Sequence, residues 1–81
     1  MVFDYEDLKL RIKKYFKKQE LFAKAMGMSY TALNQRLNGI IQWKIPEIYK
    51  ACKLLDIPLN EVHLYFFVQK VEKISTFEEV L

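Results

Sequence analysis

Five polar side chains, Tyr30, Thr31, Asn34, Gln35 and Asn38, stand together in the stretch "MGMSYTALNQRLNG" of residues 26–39. At about 100° of rotation per helical residue they share one continuous arc of ~140°, with Leu33 and Leu37 opposite. A solvated helix face is normally filled by Lys and Glu, which favour helix and cost little when exposed; Asn and Thr are poorer helix formers. Amides donate and accept together, which matches the N6 and N7 edge of adenine, and Thr suits a base edge or a thymine methyl. The arc has the composition of a surface that reads bases.

Charge is divided unevenly around it. Residues 9–44 carry nine Lys or Arg against the single acid Glu20, residues 45–81 carry four bases against six acids, and the first eight residues add three acids. A basic block of this kind either faces a polyanion or forms an ordinary solvated helix face. The cations flank the amide arc rather than fill it. That division suits cations on phosphates and neutral amides on bases.

Other chemistries find little support. Cys52 and His63 are the only Cys and His, so neither an internal disulfide nor a zinc-ligand spacing is available. Both lie within helical patterns, as a small buried side chain and a surface residue. No Ser-His-acid set, phosphate-cradling loop or paired carboxylate stands out, and no catalysis and no cofactor are expected. No apolar run approaches the ~18 residues of a membrane span, and the N-terminal stretch lacks the pattern of a signal peptide. A cytosolic protein without a small-molecule substrate is expected.

The elements that must position the arc are short helices. The 81 residues, 52% of them hydrophobic, suit one small core. Asp4 is a good N-cap for a first helix, with Phe3 and Leu8 placed as a hydrophobic staple and Tyr5, Leu8, Ile12, Tyr15 and Phe16 as its buried stripe. A second helix is predicted from about Gln19 to Met26, ended by Gly27. Ser29 caps a third from Tyr30 to Asn38, which Gly39 ends. Pro46 opens a fourth through "IPEIYKACKLLD", with Ile45, Ile48, Tyr49, Cys52 and Leu55 at helical spacing. A fifth restarts after Pro58, with Val62, Tyr65 and Phe66 on one side. The remainder, "VQKVEKISTFEEVL", shows no clean period. The expected architecture is an all-α, compact five-helix bundle at residues 1–68, followed by a tail at 69–81.

The joint "MGMS" makes helices two and three a helix-turn-helix. The stretch "QELFAKAMGMSYTALNQRLNG" resembles the lambda-repressor-like (Cro/cI, or Xre-type) family in Gln19, Ala23, Gly27 and Asn38-Gly39. The later stretch "EIYKACKLLDIPLNEVHLYFF" resembles small Cro-like repressors of phages and prophages of Gram-positive bacteria. The resemblance implies sequence-specific binding to double-stranded DNA. In it Gln19 binds phosphate and braces Tyr30, Thr31 and Gln35 read bases beside Asn34, and Asn38 meets phosphate. Gln42 and Lys44 touch sugar or phosphate, while Lys18 and Ser29 complete the set. Tyr30, Arg36, Leu37 and Lys18 depart from the family pattern. Leu37 is expected to pack, and Arg36 to snorkel to solvent or backbone phosphate.

A lone recognition helix reads only a few base pairs, so a homodimer on a palindromic operator is expected. Tyr65, Phe66, Phe67 and Val68, with the tail to Leu81 as strand or helix, are its candidate contacts. Trp43 either stacks on a sugar or base or covers the core, the latter being preferred. The favoured function is a transcriptional repressor that acts by occupying its operator. The alternative is a protein-interaction module, an antitoxin or antirepressor, in which the same fold presents its aromatic surface to another protein.

Overall fold

The computed structural model describes residues 3–69, and all its regular elements are helical. They are α1 (Glu6–Phe16), α2 (Gln19–Met26), α3 (Tyr30–Leu37), α4 (Ile45–Leu54), a 3-10 turn (Leu59–Glu61) and the four-residue α5 (His63–Phe66). None is long enough to be stable by itself, so each depends on the apolar stripe it contributes to a shared core. No described helix is long and apolar enough to cross a membrane.

Local signals set most of the boundaries. The Asp4 carboxylate accepts from the Glu6 amide at 2.8 Å, so it closes the first turn although Tyr5 holds the N-cap position. Gly27 ends α2 with a left-handed φ of 80°, a conformation without steric cost only for glycine. The Ser29 hydroxyl accepts from the Ala32 amide at 3.0 Å and opens α3, and α4 opens with the Lys44 amide donating to Glu47 Oε1 at 3.0 Å.

Leu8, Ile12, Phe22, Ala23, Leu33, Ala51, Leu55 and Phe66 form the driest part of the core. Two of the expected stripes are rotated. In α1, Tyr5, Leu8 and Ile12 are buried, but Tyr15 is exposed, where Arg11 and Lys14 lie over its ring. In α4 the buried line runs through Ile48, Ala51 and Cys52, and Ile45 and Tyr49 stand outside it. Including small Ala51 turns the helix so that its two bulkier edge residues face outward.

Two distant contacts close the bundle. Arg11 of α1 donates to the carbonyls of Leu55 at 2.9 Å and Asp56 at 2.6 Å, and to the Tyr65 hydroxyl at 3.3 Å. A guanidinium is well suited to the orphan carbonyls at the end of α4. Replacing it in Arg11→Met should cost about 2 kcal/mol in urea unfolding, because two carbonyls lose a charged donor. Arg11→Lys should not restore that loss, since a point ammonium cannot span the same fork.

The second closure joins the ends of the described chain. The Asp4 amide donates to the Val68 carbonyl at 2.6 Å, and Phe3 pairs with Gln69 in an isolated antiparallel bridge. Phe3 packs edge-on to Tyr5 and Phe67. Bundle contacts thus extend to Gln69, one residue into the expected tail; residues 70–81 of that tail lie outside the described residues.

The aromatic run is sorted differently from the expected dimer surface. Phe66 is 1% exposed and fully part of the core, with its ring edge-on to Trp43 at a centroid distance of 5.1 Å. It cannot serve as an interface residue in this fold. Tyr65 is half-buried under Arg11, and Val68 is half-buried with its carbonyl engaged. Of the four candidates, only Phe67 is exposed. Trp43 covers the core through Phe66 and does not stand out as a stacking platform.

Candidate functional site

Helices α2 and α3 are held at a fixed angle by the three residues between them. The Gly27 and Met28 amides donate to the Lys24 and Ala23 carbonyls, both at 3.0 Å, which closes the end of α2. Ala23 is buried, and its small side chain lets α3 approach closely. Leu33 and Leu37 point into the core and turn the amide arc outward.

The arc stands on the surface as one patch. Tyr30, Thr31, Asn34 and Asn38 are exposed and Gln35 is half-buried. The Asn38 amide donates to Asn34 Oδ1 at 3.3 Å, which orders two side chains one helical turn apart. Ser29 lies at the edge of the patch, its hydroxyl engaged in the cap. Gln19 is half-buried at the start of α2; among the described residues its side chain makes no hydrogen bond to Tyr30. Lys18, Gln42 and Lys44 are exposed on the neighbouring turns, and Lys18 gives no side-chain cap to α2.

Arg36 departs from its expected role. Its guanidinium grips the Glu47 carboxylate through two bonds of 2.9 and 3.0 Å and donates to the Ala32 carbonyl at 3.0 Å. Both side chains are largely buried, at 12 and 20% exposure. Hydrogen bonds from Arg36 hold the Glu47 carboxyl below the usual glutamate range, aided by the Lys44 amide and opposed by partial burial. A guanidinium held on three sides is committed to locking α3 onto α4 and is not free to meet phosphate.

One part of the surface escaped the sequence reading. Beyond Gly39, itself at a left-handed φ of 76°, Ile40 and Ile41 are 71% and 38% exposed. Their amides donate to the Gln35 carbonyl at 2.9 and 3.2 Å, so the loop is fastened to the end of α3. The available signal was the pair of apolar residues directly after a helix-ending glycine, where no helical stripe can absorb them. A loop that only follows a phosphate backbone would more usefully carry cations there.

Other groups lack the setting for chemistry. Cys52 is buried, and burial pushes its thiol up, so it is a poor nucleophile. His63 is exposed. Among the described residues, no group of His, Cys, Asp and Glu is arranged to hold a metal ion.

Comparison with known proteins places this geometry in a family. Residues 1–69 match the family described as "Protein of unknown function (DUF739)". The chain is also similar to the solution structure of the modulator of repression (MOR) of the temperate bacteriophage TP901-1 from Lactococcus lactis. That similarity amounts to 36% identity and a TM-score of 0.74 over 89% of this chain and 97% of the other. No curated protein matches the chain. These findings overturn the assignment to the Cro/cI family.

The physical reason for the misassignment lies in the motif itself. Gly27 and Gly39 are required by their left-handed backbones and Ala23 by close packing, so those residues report a tight two-helix joint rather than descent. The chain belongs to the protein family of unknown function DUF739.

Proposed function

We propose that this chain is a phage-type regulatory protein that alters repression by binding another protein, with the outer face of α3 and the Ile40-Ile41 loop as its docking surface. The observation that carries this reading is the similarity, over 89% of this chain and 97% of the other, to a protein that is itself a modulator of repression. The surface chemistry supports it. Protein interfaces favour aromatic and apolar anchors within a polar rim, and Tyr30, Ile40 and Ile41 are exposed, as are Thr31, Asn34 and Asn38.

The partner that fits is a repressor in the same bacterial cytoplasm, whose activity changes when part of its surface is covered. No bond is made or broken, and no cofactor is needed. The test is calorimetric titration of the purified chain into a repressor encoded by the same phage or prophage. A saturable complex is expected, with Ile41→Asp weakening it at least tenfold while the helical circular dichroism stays unchanged. Failure of that repressor to bind, with enrichment of one sequence from a random duplex pool, would sink the reading.

A second reading, direct sequence-specific DNA binding, is favoured by one observation: the amides of Asn34, Gln35 and Asn38 crown a capped helix between the exposed lysines of neighbouring turns. On that reading, Thr31→Ala or Gln35→Ala costs roughly 1–3 kcal/mol on the preferred site alone. Substitutions at Lys14, Lys17 or Lys18 then weaken all duplexes alike and flatten the salt dependence. An inverted repeat among the enriched sequences would add a homodimer.

A further inference from the structure

The outer side of α4 carries an apolar groove of about 260 Å³, lined by Ile45, Ile48 and Tyr49 of the helix and by Leu59, Val62 and Phe67 of the chain that follows. Ile45, Tyr49, Leu59 and Phe67 remain 67, 51, 54 and 47% exposed. Tyr49 joins the groove to two adjoining hollows, one bordered by Pro46 and Lys53 and the other by Asp56 and Pro58. No residue of α3 or of the Ile40-Ile41 loop lines any of the three.

The extent of this face fits a globular partner. The exposed parts of the four apolar side chains amount to on the order of 400 Å², a size at which a contiguous patch is often functional. Since an ordinary interface is about 57% apolar, that much apolar surface corresponds to on the order of 700 Å² in all. A standard complex buries ~800 Å² per partner.

Charge selects the partner. Lys44 stands just before α4 and Asp56 just after it; both are exposed, and among the described residues neither side chain makes an ion pair. Lys50 adds no free charge here, because its ammonium donates to the Met26 carbonyl at 3.3 Å. A face with a lysine at one end and an aspartate at the other complements itself when two copies meet antiparallel about a two-fold axis, the isologous arrangement. At 1.5 Å of rise per residue, an axis beside Tyr49 brings Lys44 of one copy to within ~3 Å, along the helix, of the level of Asp56 in the other. The length of a lysine side chain covers that offset. The same axis sets Ile45 level with Lys53 of the other copy, whose methylene stem can lie along it while its ammonium stays in water.

We propose that the outer face of α4 is a homodimer interface, in which two copies of this chain pack α4 against α4 antiparallel about Tyr49 and pair Lys44 with Asp56 twice. Ile45, Tyr49, Leu59 and Phe67 of each copy are the apolar anchors. This surface shares only Phe67 with the segment expected from the sequence to dimerise. It uses no residue of the α3 face, so it holds whether that face meets protein or DNA.

Sedimentation equilibrium of the full chain over a concentration series is the test. A reversible equilibrium between monomer and dimer is expected. Tyr49→Glu, at an exposed position outside the core, is expected to weaken it at least tenfold with the helical circular dichroism unchanged. Lys44→Glu and Asp56→Lys should each weaken self-association alone, and an equimolar mixture of the two should recover it, since the mixed dimer restores both ion pairs. A chain still monomeric at ~1 mM, where even weak complexes form, would overturn the proposal and leave the groove to a different protein. A dimer that Tyr49→Glu leaves intact would overturn it by placing the contact elsewhere. Absence of recovery in the mixture would overturn the antiparallel pairing.

Discussion

Phe66→Ala should lose about 3–5 kcal/mol of stability, the usual cost of deleting a fully buried aromatic ring. Phe66 is enclosed on all sides, and its ring meets Trp43 edge-on. Truncation removes both the ring's transfer energy and a packed aromatic pair. A domain of this length has roughly 4–12 kcal/mol in total at typical values per residue, so a large share of the stability disappears. Urea unfolding at 25 °C measures it directly. Phe67→Ala, one residue on, should cost under about 1 kcal/mol because that ring is largely at the surface. Equal losses at the two positions would contradict the sorting of the aromatic run.

Glu47→Gln should cost about 2 kcal/mol at pH 7, and that difference should shrink as the solution is acidified. The carboxylate receives two hydrogen bonds from Arg36 and one from the Lys44 amide, and a hydrogen bond to a charged group contributes roughly 1.5–3 kcal/mol. Its pKa in the fold is lowered, chiefly by the Arg36 bonds. Unfolding therefore takes up protons wherever the unfolded side chain is protonated and the folded one is not. The contribution is complete above the unfolded glutamate pKa of about 4.3 and is lost as pH falls through the lower folded value. Wild type and Glu47→Gln should then converge in urea midpoints measured at pH 7, 5 and 3. A gap that stays constant across that range would show that the charge on Glu47 contributes nothing to the lock between α3 and α4.

The elements that were legible in the sequence are those whose signals are local. Gln19–Met26 begins and ends where the pattern places it, because Gly27 sits directly at its end. Ser29 and the leucine pair likewise define α3 and the direction of its polar arc within ten residues. The aromatic run resisted such reading: choosing Phe66 over Phe67 for the core depends on Trp43 and α1, far away in sequence. The same holds for Arg36, whose destination is decided by a carboxylate eleven residues on.

The candidate site was legible as a surface and not as a partner. Amides and hydroxyls on a capped helix satisfy a base edge and a peptide group with the same donors and acceptors. Only the fastened Ile40-Ile41 loop adds an apolar component that distinguishes the two. Its exposure follows from the positive φ at Gly39 and from hydrogen bonds to the Gln35 carbonyl, neither of which periodicity registers.

The joining of Phe3 and Asp4 to Gln69 and Val68 also bears on how the protein is made. Phe66 is the last of the described core residues to leave the ribosome, and α1, the first helix synthesised, has its Arg11 latch waiting for carbonyls at Leu55 and Asp56. Until Phe66 is in place, α1 to α4 therefore lack the ring that completes their shared core. Cooperative folding must wait until the segment through Gln69 can join Phe3 and Asp4, so the interval before that closure is one of vulnerability to aggregation.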